Sequence, residues 1–158
     1  MTAPSGLSAG ELLAWRTFLR AHATVVRRLE AELVTEHDLP LASYDVLVQL
    51  SEAADRRLRM TELADRVLLS RSGLTRLADR LERDGLLERH PCPDDARGTL
   101  AVLTGAGLQR LRDAWPTHRR GVAEHFTGRL TAPEVDQLAT LLGALVEDGP
   151  PGDCGSGP

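Results

Sequence analysis

The chain contains no lysine: all 19 of its basic residues are arginine, the side chain whose planar fork best matches phosphate and guanine. Aromatic residues make up only 3%, so a core has to be built from Leu, Val and Ala. Cysteine occurs twice, at Cys92 and Cys154, far apart. Neither belongs to a CxxC pair and no histidines cluster beside them, which argues against a metal site or any other cofactor. No apolar run approaches the ~18 residues that a membrane span needs. The N-terminus lacks a basic-then-apolar signal, so the expectation is a cytoplasmic protein. A phosphate-cradling glycine motif is missing too. The five histidines (His22, His37, His90, His118, His125) form no metal or triad pattern with carboxylates or nucleophiles, which counts against an enzyme.

What is present suits one helical domain. The 158 residues are 42% apolar and 27% charged, and a Leu-, Ala- and Arg-rich composition favours helix. The net charge of −4 speaks against nucleic acid until its distribution is considered. Residues 56–97 carry ten arginines against eight acids, whereas both flanks are acidic. Within 66–83 five arginines (Arg66, Arg71, Arg76, Arg80, Arg83) face only Asp79 and Glu82.

Ser8 and Glu11 fit a capping box that opens a long helix to about His37. Its stripe of Leu12, Trp15, Leu19, Val26, Leu29 and Leu33 alternates steps of three and four. That heptad seam suits packing against another long helix, and His22 is its one polar position. Asp38-Leu39-Pro40 breaks the helix. Ser43 is expected to cap a second helix that turns Tyr44, Val46, Leu47 and Leu50 inward. Arg56–Arg59 reads as a loop or a single edge strand. A short third helix (Met60 to about Val67) and a fourth capped by Ser70 (to about Asp84) follow, with Gly85 at a left-handed cap. Strands over Leu86–His90 and Thr99–Leu103 flank a turn-rich tip, Pro91–Gly98. Thr104 caps a fifth helix of roughly 20 residues, in which Pro116 predicts a kink. Thr131 and Glu134 form a second capping box, and the last helix is expected to bury Val135, Leu138, Leu142 and Leu145. The Gly- and Pro-rich tail, 149–158, is expected to be disordered.

Two short helices joined by a few residues have helix-turn-helix spacing. The second begins Ser70-Arg71-Ser72-Gly73 and continues through Thr75, Arg76 and Arg80. Small polar groups at its N-terminus allow close backbone approach to a groove, and helix N-termini attract phosphate. Arg76, further in, is placed for a base edge and Arg80 for the DNA backbone. A solvated charged helix is the bland alternative. The hairpin that follows, with Asp95 and Arg97 at its tip, reads as a wing. Arg97 suits a minor groove, and Asp95 suits holding Arg97 or the loop backbone.

These stretches resemble the MarR family of bacterial regulators. The resemblance rests on Glu62-Leu63-Ala64, Leu69–Leu77, Asp79-Arg80-Leu81-Glu82, Asp84-Gly85-Leu86-Leu87, and Asp94-Asp95-Ala96-Arg97 leading into Val102-Leu103-Thr104. The family's wing usually reads Asp-Pro-x-Asp-Arg-Arg. Cys92 and Ala96 depart from that pattern and Arg97 keeps it. The resemblance implies a mainly α fold with a small β-hairpin wing, built as a single unit over 1–158. Its winged helix-turn-helix region would span 43–103, with dimerisation helices at 8–37 and 104–147. It also implies a homodimer on a pseudo-palindromic double-stranded DNA operator, repression as the default outcome, and a small anionic or aromatic effector. Trp15, His22, Tyr44 and Asp45 are the effector-pocket candidates. Cys92, expected in an exposed loop near Arg89 and Arg97, offers a redox-sensing alternative. A winged-helix interaction module without DNA binding is the other.

Overall fold

Ser8 accepts the backbone N–H of Glu11 while the Glu11 carboxylate accepts that of Ser8, so the first helix starts where its capping box predicts. In the computed structural model this helix, α1, spans Ala9–His37. Residues 6–67, 69–93 and 95–146 are described, with backbone alone at Ala96 and Arg97. The tail 149–158, with Cys154, lies outside the described residues. Asp38 stops α1 by adopting a left-handed conformation (φ 47°) and donating its N–H back to the Val34 carbonyl.

The second helix, α2 (Leu41–Glu52), begins earlier than Ser43. Pro40 holds the N-cap position, and the Glu30 carboxylate of α1 takes the free N–H of Leu41 at 2.5 Å. A side chain from another helix therefore does the work expected of Ser43, which is buried inside the first turn. A 3₁₀ turn at Ala54–Arg56 leads to β1 (Arg57–Arg59), so the edge-strand alternative is the one realised. Helices α3 (Met60–Arg66) and α4 (Arg71–Arg83) follow.

Helix α4 ends on Gly85 (φ 70°), with the Leu86 N–H reaching back to the Leu81 carbonyl, the left-handed stop that glycine accommodates best. Strands β2 (Leu87–Cys92) and β3 (Asp95–Leu103) are longer than expected. Antiparallel pairing runs from Leu87 against Leu103 out to Pro91 against Thr99. A register shift there brings Cys92 opposite Asp95. The bulge absorbs the proline that made the tip look like loop. β1 pairs on the other side of β3, giving the order β1-β3-β2.

Thr104 opens α5 (Gly105–His125) by accepting the Gly107 N–H, and its hydroxyl donates to the Gly85 carbonyl, tying the start of α5 to the end of α4. Helix α5 runs past Pro116 unbroken. Thr117, next to it, is buried and donates to Glu36 while its oxygen also meets His37 Nε2 at 2.9 Å, which joins α5 to α1. A further 3₁₀ turn (Thr127–Arg129) precedes α6 (Ala132–Gly143), where Glu134 accepts the Thr131 N–H.

One apolar cluster joins all of this except the far ends. It takes Leu33 from α1, Tyr44, Val46, Leu47 and Leu50 from α2, Leu63 from α3, Leu74 and Leu81 from α4, Leu87 and Ala101 from the sheet, and Leu111 and Ala114 from α5. Beyond it the heptad seam stands open: Trp15 is 56% exposed and Leu19 45%. The last helix does not bury its stripe within one chain. Val135, Leu138 and Leu142 are half-buried and Leu145 is 72% exposed. Instead Leu138, Leu142 and Leu145 face Trp15, Phe18, His22 and Val26 across an apolar groove of about 780 Å³.

Candidate nucleic-acid interface

The apolar residues of α4 (Leu74, Leu77, Ala78, Leu81) are buried, which turns its opposite face to solvent. Ser70 caps the helix by accepting the Gly73 N–H at 3.1 Å and lies within 3.4 Å of the Ser72 hydroxyl. Thr75 donates to the Arg71 carbonyl one turn back. Arg71 and Arg76 are exposed, and among the described residues no ion pair or hydrogen bond engages either guanidinium. This is the arrangement expected of a helix that offers charge outward, since surface arginines with acids in reach pair with them, as Arg66 does with Glu62.

Arg80 behaves differently. The residue is exposed too, but its guanidinium donates to the buried Ser43 hydroxyl at 2.9 Å and so braces α4 against α2. Ser43, passed over as a cap, is thereby the acceptor that holds it.

The wing is fixed to α4 by Arg89, a residue that sequence reasoning considered only as a neighbour of Cys92. Arg89 of β2 donates through Nε and Nη2 to Glu82 at 2.9 and 2.5 Å, and its Nη1 lies 2.8 Å from Asp79. The backbone N–H of Arg89 donates to Glu82 as well. The Arg89 guanidinium holds the Glu82 carboxyl below the usual carboxylate range, and Glu82 in turn raises Arg89. The two acids of α4 are thus tied up on its flank, and their signal in the sequence is the i, i+3 pair followed by an arginine.

On the other side of the sheet, Arg59 at the end of β1 donates to Asp95 Oδ2 at 3.2 Å. Asp95 therefore ties the wing's tip to β1. The side chain of Arg97 lies outside the described residues; its backbone belongs to β3. Between α4 and the wing runs a cleft of about 350 Å³ lined by Arg59, Thr61, Thr75 and Asp95 among others.

Cys92 is not in an exposed loop. It is 6% exposed at the end of β2, and a Cβ built on Gly98 would meet its sulfur at 3.0 Å. The lengthened hairpin is the reason, and Arg89 is drawn away from it to Glu82.

The four effector-pocket candidates do not form one site within a chain. Trp15 and His22 line the terminal groove. Tyr44 is buried in the core with its ring stacked on His118 at 4.5 Å, and its hydroxyl has no hydrogen-bond partner among the described residues. Burial pushes the His118 imidazole down. Asp45, beside Tyr44 on α2, is pushed up to about 6 by desolvation and by the nearby Glu30 carboxylate. A separate cavity of about 650 Å³ lies where α4, α5 and the α1–α2 connection meet, lined by Asp38, Ser43, Arg80, Asp84, Arg110 and Asp113 among others.

A short helix pair whose second member faces outward with unpaired arginines, followed by a hairpin braced to that member, defines a winged helix-turn-helix protein. The MarR family profile matches residues 37–98. The HTH-type transcriptional regulator YkoM of Bacillus subtilis is 33% identical over 128 residues, covering 81% of this chain and 80% of the relative. Among solved structures, Sco3205, a MarR family transcriptional regulator from Streptomyces coelicolor in complex with DNA, superimposes with a TM-score of 0.86. It is 35% identical, over 98% of this chain and 97% of that one. A mutant MarR from Escherichia coli complexed with operator DNA superimposes with a TM-score of 0.78 at 29% identity, over 90% and 99% of the two chains. The chain belongs to the MarR family of transcriptional regulators.

Proposed function

We propose that this chain is a sequence-specific DNA-binding regulator acting as a homodimeric repressor on a pseudo-palindromic operator. The observation that carries the reading is the outward face of α4, where Ser70, Arg71, Ser72, Thr75 and Arg76 stand exposed beside the wing with both guanidiniums unengaged. Arg76 reads a base edge in the major groove. Ser70, Arg71, Ser72 and Thr75 contact phosphates at the helix N-terminus. Arg97 supplies the wing's contribution in the minor groove, and Asp95 steadies the tip that carries it. Arg80 fixes α4 on α2 through Ser43. The protein binds rather than catalyses, in the cytoplasm where its operator is; no described helix is long and apolar enough to cross a membrane.

Two features support regulation through the dimer. The groove between α1 and α6 exposes an apolar surface suited to the same helices of a second copy. The cavity beside Ser43 and Arg80 touches the base of α4, and Arg110 Nε in its wall is buried with no hydrogen-bond partner among the described residues. A small molecule bound there with an acceptor for Arg110 would disturb the Arg80–Ser43 brace and with it the setting of the recognition helix. The deciding measurement is a salt series of binding constants on genomic fragments and on random duplex. The wild type should prefer its own operator, with log K falling steeply as salt rises. Arg97→Ala should weaken both duplexes alike and reduce the salt slope by roughly one unit per lost contact. Equal binding to all fragments at every salt concentration would remove the reading.

A further inference from the structure

We propose that Glu32, Glu124 and His125 form a binding site for a divalent transition-metal ion, Zn²⁺ being the fitting probe, which links α1 to α5. The sequence argues against a metal site because its histidines form no metal pattern with carboxylates, and Glu32 and His125 stand 93 residues apart. The fold closes that distance: each of the three residues offers a ligand atom, and these atoms all lie within 4.8 Å of one another.

The site is more than an acidic cluster. The His125 side chain is 9% exposed and its Nε2 meets Glu32 Oε1 at 2.5 Å. An ordinary ion pair would leave its remaining polar atoms in water or hydrogen-bonded. Here Glu32 Oε2 and His125 Nδ1 are both buried with no hydrogen-bond partner among the described residues. Orphaned buried polar atoms are unfavourable unless something satisfies them. With the proton on Nδ1, Nε2 directs its lone pair at Glu32, whose two oxygens carry lone pairs of their own. A cation is the ligand that satisfies lone pairs from carboxylate and imidazole together. Gly121, one helical turn before His125, makes room for this carboxylate: a Cβ there would sit 2.6 Å from Glu32 Oε2.

Imidazole with two carboxylates is a ligand set for Zn²⁺ and its first-row neighbours, whereas Mg²⁺ prefers oxygen alone. Bonds of about 2.0–2.1 Å place tetrahedral ligands roughly 3.3 Å apart, so the short Glu32–His125 contact opens slightly and the exposed Glu124 swings in. A fourth position is left for water. Arg120 feels both Glu32 and Glu124 but is itself hydrogen-bonded to Glu36. That pairing keeps its charge from filling the site.

This inference goes beyond DNA binding and does not depend on it, because the test contains no DNA. Zn²⁺ is titrated calorimetrically into the full-length protein, with Mg²⁺ as comparison. One Zn²⁺ per chain is expected, with a rise in melting temperature. His125→Ala should abolish that uptake. Glu124→Gln, at an exposed position that leaves the fold untouched, should weaken it by about tenfold or more. The double variant Cys92→Ser, Cys154→Ser should bind as the wild type does, since no thiol takes part. The proposal is overturned if the wild type takes up no Zn²⁺, if Glu124→Gln and the wild type bind with equal affinity, or if uptake vanishes with the cysteines.

Discussion

The winged half of the molecule and its terminal half use the same residue types to opposite ends. From Leu33 to Ala114 the leucines close on one another within a single chain, and the polar side chains are largely consumed internally: Arg89 by Glu82 and Asp79, Arg80 by Ser43. On the outward face of α4, what this half leaves exposed is cationic and small. The terminal half leaves exposed what the winged half hides. Trp15, Phe18 and Leu19 of α1, Leu141 of α6 and Leu145 just beyond it stand open. A contiguous apolar surface of this kind marks an interaction site, and a self-complementary pair of helices suits a two-fold partner. One half is therefore finished as a unit for meeting charge, and the other is finished only by a second copy.

Breaking the terminal half should have the largest effect on function. Leu142→Asp puts a carboxylate in the groove. Sedimentation should then fall from about twice 17.2 kDa to the single-chain value. Operator affinity should drop by about 10²–10⁴-fold, because the two recognition helices no longer bind as one ligand. The winged half should still unfold cooperatively. An intact dimer would show that some other surface joins the copies.

Breaking the winged half should act on stability instead. Leu81 is 1% exposed in the shared core, and Leu81→Ala should cost about 2–5 kcal/mol in denaturant unfolding. Folded protein should remain dimeric, so a parallel loss of dimer would contradict the separation of the halves. Next in size comes Arg76→Ala. It should reduce discrimination between operator and random duplex by about 1–3 kcal/mol, with the melting temperature unmoved. Arg80→Ala sharpens the contrast: it leaves the buried Ser43 hydroxyl without its donor and should lower stability by about 1 kcal/mol. If Arg80→Ala instead matched Arg76→Ala in lost discrimination at full stability, Arg80 would be facing the DNA.

What was legible in the sequence was local. Ser8 with Glu11, Ser70, Thr104 and Thr131 all cap helices, because a cap is decided by residues three apart. The core faces of α2 and α4 were legible from periodicity. What escaped depended on side chains meeting across the fold. Ser43 lost its capping role to Glu30, which reaches over from α1. Arg80 found Ser43, 37 residues away, and Arg89 found two acids of α4. The hairpin was underestimated because Pro91 signals a turn, while strand pairing with a bulge beside it tolerates it; Pro93 does lie in the turn. That same lengthening buried Cys92 and removed the exposure that a redox sensor needs.

The smallest effect expected is a proton linkage at the border of the two halves. Asp45 sits on α2, and desolvation, with the Glu30 charge on α1 second, lifts its carboxyl to about 6 from an ordinary 3.8. A carboxyl raised in the folded state favours folding while it is protonated. Its contribution is complete below the unfolded value and is lost as pH rises through the folded one. The window therefore runs from about pH 4 to about pH 6. Asp45→Asn removes the ionisation and should be the more stable protein at pH 7.5, by less than about 1 kcal/mol because the carboxyl is only partly withdrawn from water and its charge is screened. That advantage should fade on acidification and vanish by pH 3.5, as measured by urea unfolding at a series of pH values. Glu30→Gln should narrow the gap by removing the neighbouring charge, at the cost of a weaker acceptor for the Leu41 N–H. A constant difference between wild type and Asp45→Asn across the series would mean that Asp45 ionises in the folded protein as it does in water.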